Sequence, residues 1–349
     1  MALLRHAYRM PRAGSLTRLE YIQEYLPEPH AQEVLVEVHA IGLNFADIFA
    51  MMGLYSATPQ DSFVPGLEYS GIVRAVGSNV QHIHVGQRVM GVIRFGAYAT
   101  HLTIDERYVV PLPTDWSFEE GAAFIVQALT AYYALVPLGA LRPGATVLIH
   151  SAAGGVGIMA NRIAKKLGGY TIGSIGTESK RDIALREGYD YVFVRSGTSY
   201  RACKSDLHTA LHNRPLSLVL DSLGGEALRA SFDMLAPTGR IVCFGSASMA
   251  FRGTRPPYLS LLWKWLRRPR FDALTMIEQN KSIMGFNLIW LWNHLEEMSS
   301  LLHALQQLAL PKPFVGHIFS FEELPHAITT FQSGTTVGKV VIRVSQPCP

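Results

Sequence analysis

The stretch Val147-Leu-Ile-His-Ser-Ala-Ala-Gly-Gly-Val-Gly157, running into Ile158–Leu167, decides the fold. An apolar run, Val147 to Ile149, stops at a glycine-rich turn. Apolar residues then recur at Val156, Met159, Ala160, Ile163, Ala164 and Leu167, offsets that place them on one face of a helix. The order is strand, tight turn, helix, which is the opening unit of a dinucleotide-binding domain. The spacing is Ala152-x-Gly154-x-x-Gly157, with alanine where the usual fingerprint has its first glycine. Gly154 lets backbone come close to a pyrophosphate, and Gly157 lets the helix press onto the strand. Backbone N–H groups of Ala153, Gly154, Gly155, Val156 and Gly157, at the positive end of a helix, suit phosphate. A glycine turn without a ligand is the bland alternative; the flanking strand and helix favour the ligand.

Working outward, the chain from Leu129 to about Gly285 alternates strand and helix. Strands are expected at 146–150, 171–175, 191–194, 216–221, 240–244 and 282–286, with helices near 155–167, 180–187, 200–211 and 225–235. Such alternation requires right-handed crossovers and a parallel sheet covered on both faces. Residues 1–126 read as mostly β, with Glu33-Val-Leu-Val-Glu-Val-His39 alternating as a half-buried strand does. After about 288 a long amphipathic helix (291–308), a strand (314–319), a helix (322–332) and a final strand (339–344) follow. The expected architecture is α/β. A doubly wound parallel sheet over 127–287 is inserted into a discontinuous first domain made of 1–126 and 288–349.

At 349 residues the chain is long for one core and comfortable for two domains. A hydrophobic content of 48% with 17% charged residues is that of a globular protein. The net charge of +4 is spread along the chain, so nucleic acid is not implied. Three cysteines, Cys203, Cys243 and Cys348, are too few for a disulfide scaffold or structural zinc. Met1–Arg12 has early charges and no apolar stretch of signal-peptide length. A soluble, cytoplasmic protein is the expectation.

Together these features resemble the medium-chain dehydrogenase/reductase superfamily, in its zinc-free quinone oxidoreductase group and closest to the VAT-1-like proteins. The resemblance runs nearly end to end. It is anchored on Gly42-Leu-Asn-Phe-Ala-Asp47, Pro65-Gly-Leu-Glu-Tyr-Ser-Gly71, Gly86-Gln-Arg-Val-Met90, Ala128-Leu-Thr-Ala-Tyr132, the glycine turn, Asp221-Ser-Leu-Gly-Gly225 and Gly338-Lys-Val-Val341. It implies a GroES-like domain built from both chain ends around a Rossmann domain, with the active cleft between them.

Zinc-dependent members of the superfamily hold a catalytic metal with cysteine and histidine. The matching positions here carry Asn44 and Leu67, and Ile125, Val126 and Gln127 stand around the third. None offers the thiolate or imidazole that zinc prefers, so no metal is expected. The second Rossmann strand ends at Gly176-Thr177 rather than at an acid, and Lys180 and Arg181 follow. In the resembled reductases a lysine at the place of Lys180 meets the 2′-phosphate, with a small or hydroxyl residue such as Thr177 nearby. The cofactor implied is NADP(H). Glu178 is discordant and is expected to face solvent. Arg195 occupies a place where relatives often carry tyrosine; it pairs with the phosphate, stacks on adenine, or is an ordinary surface charge.

By the same resemblance Gln127 and Thr130 lie beside the nicotinamide and ribose, while Gly245, Ser246, Phe286 and Asn287 line the nicotinamide pocket. Without a metal, an acceptor that is already electrophilic is favoured, namely a quinone or an α,β-unsaturated carbonyl. Hydrogen-bond donors aimed at its oxygen lower the barrier. Asn44 and Tyr55 are the candidate donors, with Asn44 also a candidate for the ribose. Asp47 is taken as structural.

A segment at about 247–280 is extra relative to short quinone reductases and is shared with VAT-1-like proteins. Between Phe251 and Ile277 it interleaves Arg252, Arg255, Lys264, Arg267, Arg268 and Arg270 with aromatic and aliphatic residues. A lid or homodimer contact is the favoured reading. Contact of 251–270 with an anionic membrane surface is the alternative. A catalytically weak NADP-binding protein with a membrane- or partner-associated role, and an enoyl-thioester reductase, are the competing functions.

Overall fold

The computed structural model describes residues 3–345, and Cys348 lies outside them. The chain divides into two compact units. Unit 1 comprises 1–126, 252–256 and 312–349, and unit 2 comprises 127–251 and 257–311.

Unit 2 is built on a six-stranded parallel sheet. In chain order its strands are β1 (Thr146–His150), β2 (Tyr170–Ile175), β3 (Tyr191–Val194), β4 (Leu216–Asp221), β5 (Leu235–Cys243) and β6 (Ser282–Gly285). Their spatial order is β3-β2-β1-β4-β5-β6, so the order reverses between β1 and β4. Ligands bind sheets of this kind outside the strand C-termini at that reversal. Helices α1 (Gly155–Lys166), α2 (Arg181–Arg186), α3 (Tyr200–Leu211) and α4 (Gly225–Met234) make the crossovers. β1 is buried at every residue, as a central strand covered on both faces must be. Leu148, Ile172 and Val219 join Leu207, Ala210, Ala230 and Phe232 from α3 and α4 in one core cluster.

Between β5 and β6 the extra segment forms α5 (Tyr258–Leu266) and α6 (Ala273–Gln279). Leu261 is the buried residue of α5. Leu259, Leu262, Trp263 and Leu266, at helical spacing, are exposed by 86%, 52%, 60% and 51%.

The stretch 288–311, expected in the first domain, groups instead with unit 2. Its helix α7 (Leu295–Gln307) buries Met298, Leu301 and Leu305, and Glu297 lies beside the Tyr133 hydroxyl of the same unit. Periodicity showed the helix but not the partner of its apolar face. Conversely, 252–256 joins unit 1, where the Leu16 N–H and Ser15 Oγ both donate to the Thr254 carbonyl.

Unit 1 is mostly β. One sheet runs in the order Val315–Ser320, Lys339–Arg343, Glu33–Gly42, Glu68–Val76, Arg88–Val92, Val109–Pro111, with His101–Asp105 also paired to Glu33–Gly42. The last strand of the chain thus pairs antiparallel with Glu33–Gly42, placing Val341 opposite Gly42. Ser117 accepts from the Glu120 N–H and starts the helix at Phe118. The run Phe118–Leu138 is long and apolar enough to cross a membrane by length and composition, but 61% of its window is buried, as in a core helix.

Candidate functional site

In unit 2 the glycine turn leaves β1 through Ser151, which adopts φ +55°, and enters α1 with Gly154 as its N-cap. A Cβ on Gly157 would meet the Ser151 carbonyl oxygen at 2.5 Å and Ala152 Cα at 2.9 Å, so the helix start is pressed onto the turn. The buried Tyr189 hydroxyl donates to the Gly157 carbonyl at 2.8 Å and holds it there. At Gly155 a Cβ would fall 1.7 Å from Gln127 Oε1, which brings the buried Gln127 amide against the turn. Thr130, one helical turn later, is also buried. Ser222 Oγ donates to Ser151 Oγ at 2.8 Å, joining the turn after β4 to the turn after β1 at the reversal point.

That second turn starts from Asp221, fully buried, which accepts the Leu223 and Gly224 N–H groups. Burial raises its carboxyl to about 6. Gly224 and Gly225 follow at φ +70° and +60°, backbone that favours glycine. Gly245 and Ser246 lie exposed beyond the end of β5, and a Cβ on Gly245 would meet the Ser222 carbonyl at 3.0 Å. Phe286 stacks edge-on with Tyr133 at 5.0 Å, and Asn287 Oδ1 accepts the Ile289 N–H at 3.5 Å. Gly245, Ser246, Phe286 and Asn287 therefore follow the C-termini of the adjacent strands β5 and β6.

At the end of β2 the charges sort themselves. Glu178 pairs with Arg181 three residues on, through Nε and Nη2, and is 71% exposed. Arg181 also donates to the Val192 carbonyl at 2.7 Å. The discordant acid is thus spent on its neighbour, and Arg181 with it. Thr177 Oγ1 meets Ser179 Oγ at 3.0 Å. Arg195 stretches over Gly176, where a Cβ would come within 3.1 Å of its Nη2. Burial first, then Arg195, lowers the affinity of Lys180 for its proton. Burial likewise lowers that of Arg195. Two half-buried cations therefore share the end of an uncharged strand. An anion there would relieve both, which is what a 2′-phosphate supplies. The glycine cradle and the cation pair fit NADP(H).

In unit 1 three of the sequence anchors meet in one buried polar cluster. Asn44 is the N-cap of the helix Phe45–Met51, and its N–H donates to Asp47 Oδ2 at 2.8 Å in a capping box. Lys339 Nζ donates to Asn44 Oδ1 at 2.8 Å and to Glu68 Oε2 at 2.6 Å. Glu68 Oε1 accepts the Val126 N–H at 2.9 Å. Asn44 Nδ2 donates to the Gly42 carbonyl at 3.1 Å. Gly42 makes room for the pair, since a Cβ there would lie 2.7 Å from Lys339 Cε and 2.9 Å from Glu68 Oε2. Asp47 also accepts from the Tyr98 hydroxyl at 3.1 Å. Its complete burial raises the carboxyl to about 7, against the lowering effects of the Asn44 N–H, Lys339 and Tyr98. Tyr55 is half-buried, and its carbonyl accepts from Thr58 N and Oγ1.

Sequence reading singled out Asn44 and missed Glu68 and Lys339. The available signal was a lone charge in each of two apolar strand segments, because charged side chains are seldom fully buried unless paired. Among the described residues no group of three His, Cys, Asp or Glu side chains is placed to hold a metal ion. The donor set at the expected zinc positions does not fit that metal either. Leu67 has no donor, and the amide oxygen of Asn44 already faces an ammonium group.

Comparison with known proteins places the chain among dehydrogenases and reductases. Residues 30–114 match the model of the alcohol dehydrogenase GroES-like domain, and residues 181–342 match that of the zinc-binding dehydrogenases. The human synaptic vesicle membrane protein VAT-1 homolog is 31% identical over 319 residues, covering 90% of this chain and 80% of that protein. Escherichia coli quinone oxidoreductase complexed with NADPH superposes with a TM-score of 0.79 at 28% identity, covering 98% of this chain and 100% of that one. The CurK enoyl reductase superposes with a TM-score of 0.81 at 26% identity, covering 98% and 99%.

Proposed function

The chain belongs to the medium-chain dehydrogenase/reductase superfamily and is an NADPH-binding oxidoreductase, and from that premise we propose that it reduces quinones or α,β-unsaturated carbonyls without zinc. The observation that carries the acceptor class is the state of Asn44, which takes the place of a metal ligand. Its oxygen is held by the Lys339 ammonium, so the amide presents its NH₂ end. One N–H serves the Gly42 carbonyl, and the other remains for an acceptor oxygen. An amide N–H is a weaker electrophile than a metal ion. It suits an acceptor whose conjugation already spreads the negative charge that develops on oxygen. Tyr55 is proposed as the second donor.

NADPH, when bound, supplies the hydride. The N–H groups from Ala153 to Gly157 hold its pyrophosphate, Lys180 and Arg195 its 2′-phosphate, and Thr177 the same end. Gln127, Thr130, Gly245, Ser246, Phe286 and Asn287 are proposed around the nicotinamide half, and Asn44 also at its ribose.

The test is NADPH oxidation against a panel of quinones, enones, enoyl thioesters and simple ketones, with and without chelator. Turnover of quinones or enones, indifferent to chelator, is expected. Ketone turnover abolished by chelator overturns the metal-free reading. Preference for enoyl thioesters moves the substrate assignment toward the enoyl reductases that CurK is named for.

The exposed apolar face of α5 and α6 favours a further proposal, that a second copy of the chain covers it. Leu274 and Ile277 on α6 are exposed by 63% and 74%, and so many large apolar side chains left exposed in one segment are unusual on a monomer. Arg267 and Arg268 lie over Trp263 and Trp265 at 5.2 and 4.0 Å, the Trp and Arg composition of interfaces. Sedimentation of Leu259→Glu/Trp263→Glu against the parent chain tests this, with loss of the dimer expected. A monomeric parent that pellets with anionic liposomes assigns the face to membrane instead. Liposome binding without turnover of any acceptor would replace the enzyme by a membrane-associated nucleotide-binding protein.

A further inference from the structure

A buried polar chain runs beneath the cation pair, entirely within unit 2. His150, the last residue of β1, stands directly opposite Ser174 on β2. Its Nδ1 lies 2.7 Å from Ser174 Oγ and its Nε2 lies 3.1 Å from Ser231 Oγ on α4. His150 is 3% exposed, and both serines are fully buried. Arg195 Nη1 donates to the same Ser174 Oγ at 3.3 Å, and the Arg195 N–H donates to the Ile175 carbonyl at 3.0 Å.

The chemistry gives the chain a direction. A guanidinium can only donate, so Ser174 Oγ accepts from Arg195, and in the tautomer with the ring proton on Nε2 its own proton is given to His150 Nδ1. The ring proton on Nε2 is then donated to Ser231. This requires a neutral imidazole. Burial, and next the charge of Arg195, hold His150 neutral down to about 3. Each hydrogen bond polarises the next, and Ser174 Oγ bonds both the ring and the guanidinium.

We propose that His150, acting through Ser174, is a positioning residue for NADPH specificity, fixing the Arg195 guanidinium at the end of β2 where it reads the 2′-phosphate beside Lys180. The inference rests on the NADPH reading above and assigns Arg195, left open by the sequence, to phosphate recognition. An arginine held at one nitrogen by a neutral hydroxyl keeps its charge for the ligand. The fork reaches over Gly176, whose missing side chain leaves it room.

The test is binding of 2′,5′-ADP and of 5′-AMP, fragments that differ by the phosphate in question, to the full chain carrying His150→Leu, Ser174→Ala, Arg195→Ala and each combination with Arg195→Ala. Each single substitution should weaken 2′,5′-ADP by about 5- to 30-fold and leave 5′-AMP within about twofold, the range of a charge-assisted hydrogen bond. On an Arg195→Ala background neither His150→Leu nor Ser174→Ala should cost anything further. Equal weakening of both fragments, or losses that add to that of Arg195→Ala, overturns the proposal. Should His150→Leu fail to fold, Ser174→Ala breaks the same link and decides alone. A parent chain with no preference for 2′,5′-ADP, unchanged by Lys180→Ala, would instead remove the NADPH reading itself.

Discussion

Lys339 donates to Asn44 Oδ1 at 2.8 Å while holding Glu68 at 2.6 Å, so one ammonium both neutralises a buried carboxylate and sets the direction of an amide. The three residues span nearly 300 positions of the sequence, and all converge beside Gly42.

Removing Lys339 should cost stability before it costs chemistry. Lys339→Met leaves Glu68, fully buried, with an uncompensated charge, an effect of about 3–5 kcal/mol. Lys339→Met/Glu68→Gln should recover most of it. Denaturant unfolding of the singles and the double measures both, and an unaltered midpoint for Lys339→Met would show that the pair does not matter.

Asn44→Ala should lower kcat for the best quinone or enone by about 10- to 1,000-fold while NADPH affinity stays within a few-fold, the pattern of a lost donor to a developing oxyanion. Asn44 is also the N-cap of Phe45–Met51, so thermal unfolding must accompany the kinetics. A kcat within twofold of the parent, in about the same assay, would remove Asn44 from the reaction.

Lys180→Ala should raise the Kd for NADPH by about 10- to 100-fold and leave NADH nearly unchanged. Titration by cofactor fluorescence reads both. Parallel loss for the two cofactors contradicts recognition of the 2′-phosphate.

Asp47 predicts a pH dependence of stability. Its folded carboxyl, raised by burial to about 7, binds a proton that the unfolded chain has released above about 4. Between those values the folded state holds more protons, so this contribution is full at low pH and is lost as pH rises through about 7. Unfolding of Asp47→Asn should lack that decline, and the stability difference between parent and variant should shift against the parent by about 2–4 kcal/mol from pH 4 to 7.5. Parallel pH profiles would show that Asp47 ionises normally.

Two glycines of one turn should behave differently. A Cβ at position 157 meets backbone at 2.5 and 2.9 Å, whereas at 154 the nearest atom is 3.2 Å away. Gly157→Ala should destabilise unit 2 by about 2 kcal/mol or more, because backbone cannot step aside. Gly154→Ala should fold nearly as the parent does and lose NADPH affinity. Circular dichroism melts and cofactor titration separate the two effects.

Local order was legible where period and turn chemistry are local properties. The Val147–Gly157 stretch alone specified strand, turn and helix, and alternation over the following residues specified a parallel sheet, while the strand order with its reversal beside β1 came from the structure. The uncharged strand end at Gly176-Thr177, with the resemblance that gives Lys180 its role, pointed to NADPH. What could not be read was which distant residues share a buried volume. Helix α7 was visible, but its domain was not, since an apolar stripe does not name the surface that covers it. Glu68, Lys339 and His150 each looked like an isolated polar residue in an apolar strand. Only tertiary structure supplied their partners, because the cost of burying a charge or an imidazole is met by groups brought from other strands. For the same reason the sequence left Arg195 open between a cofactor contact and an ordinary surface charge. The fold placed it over Gly176, tied it to Ser174, and set it beside Lys180.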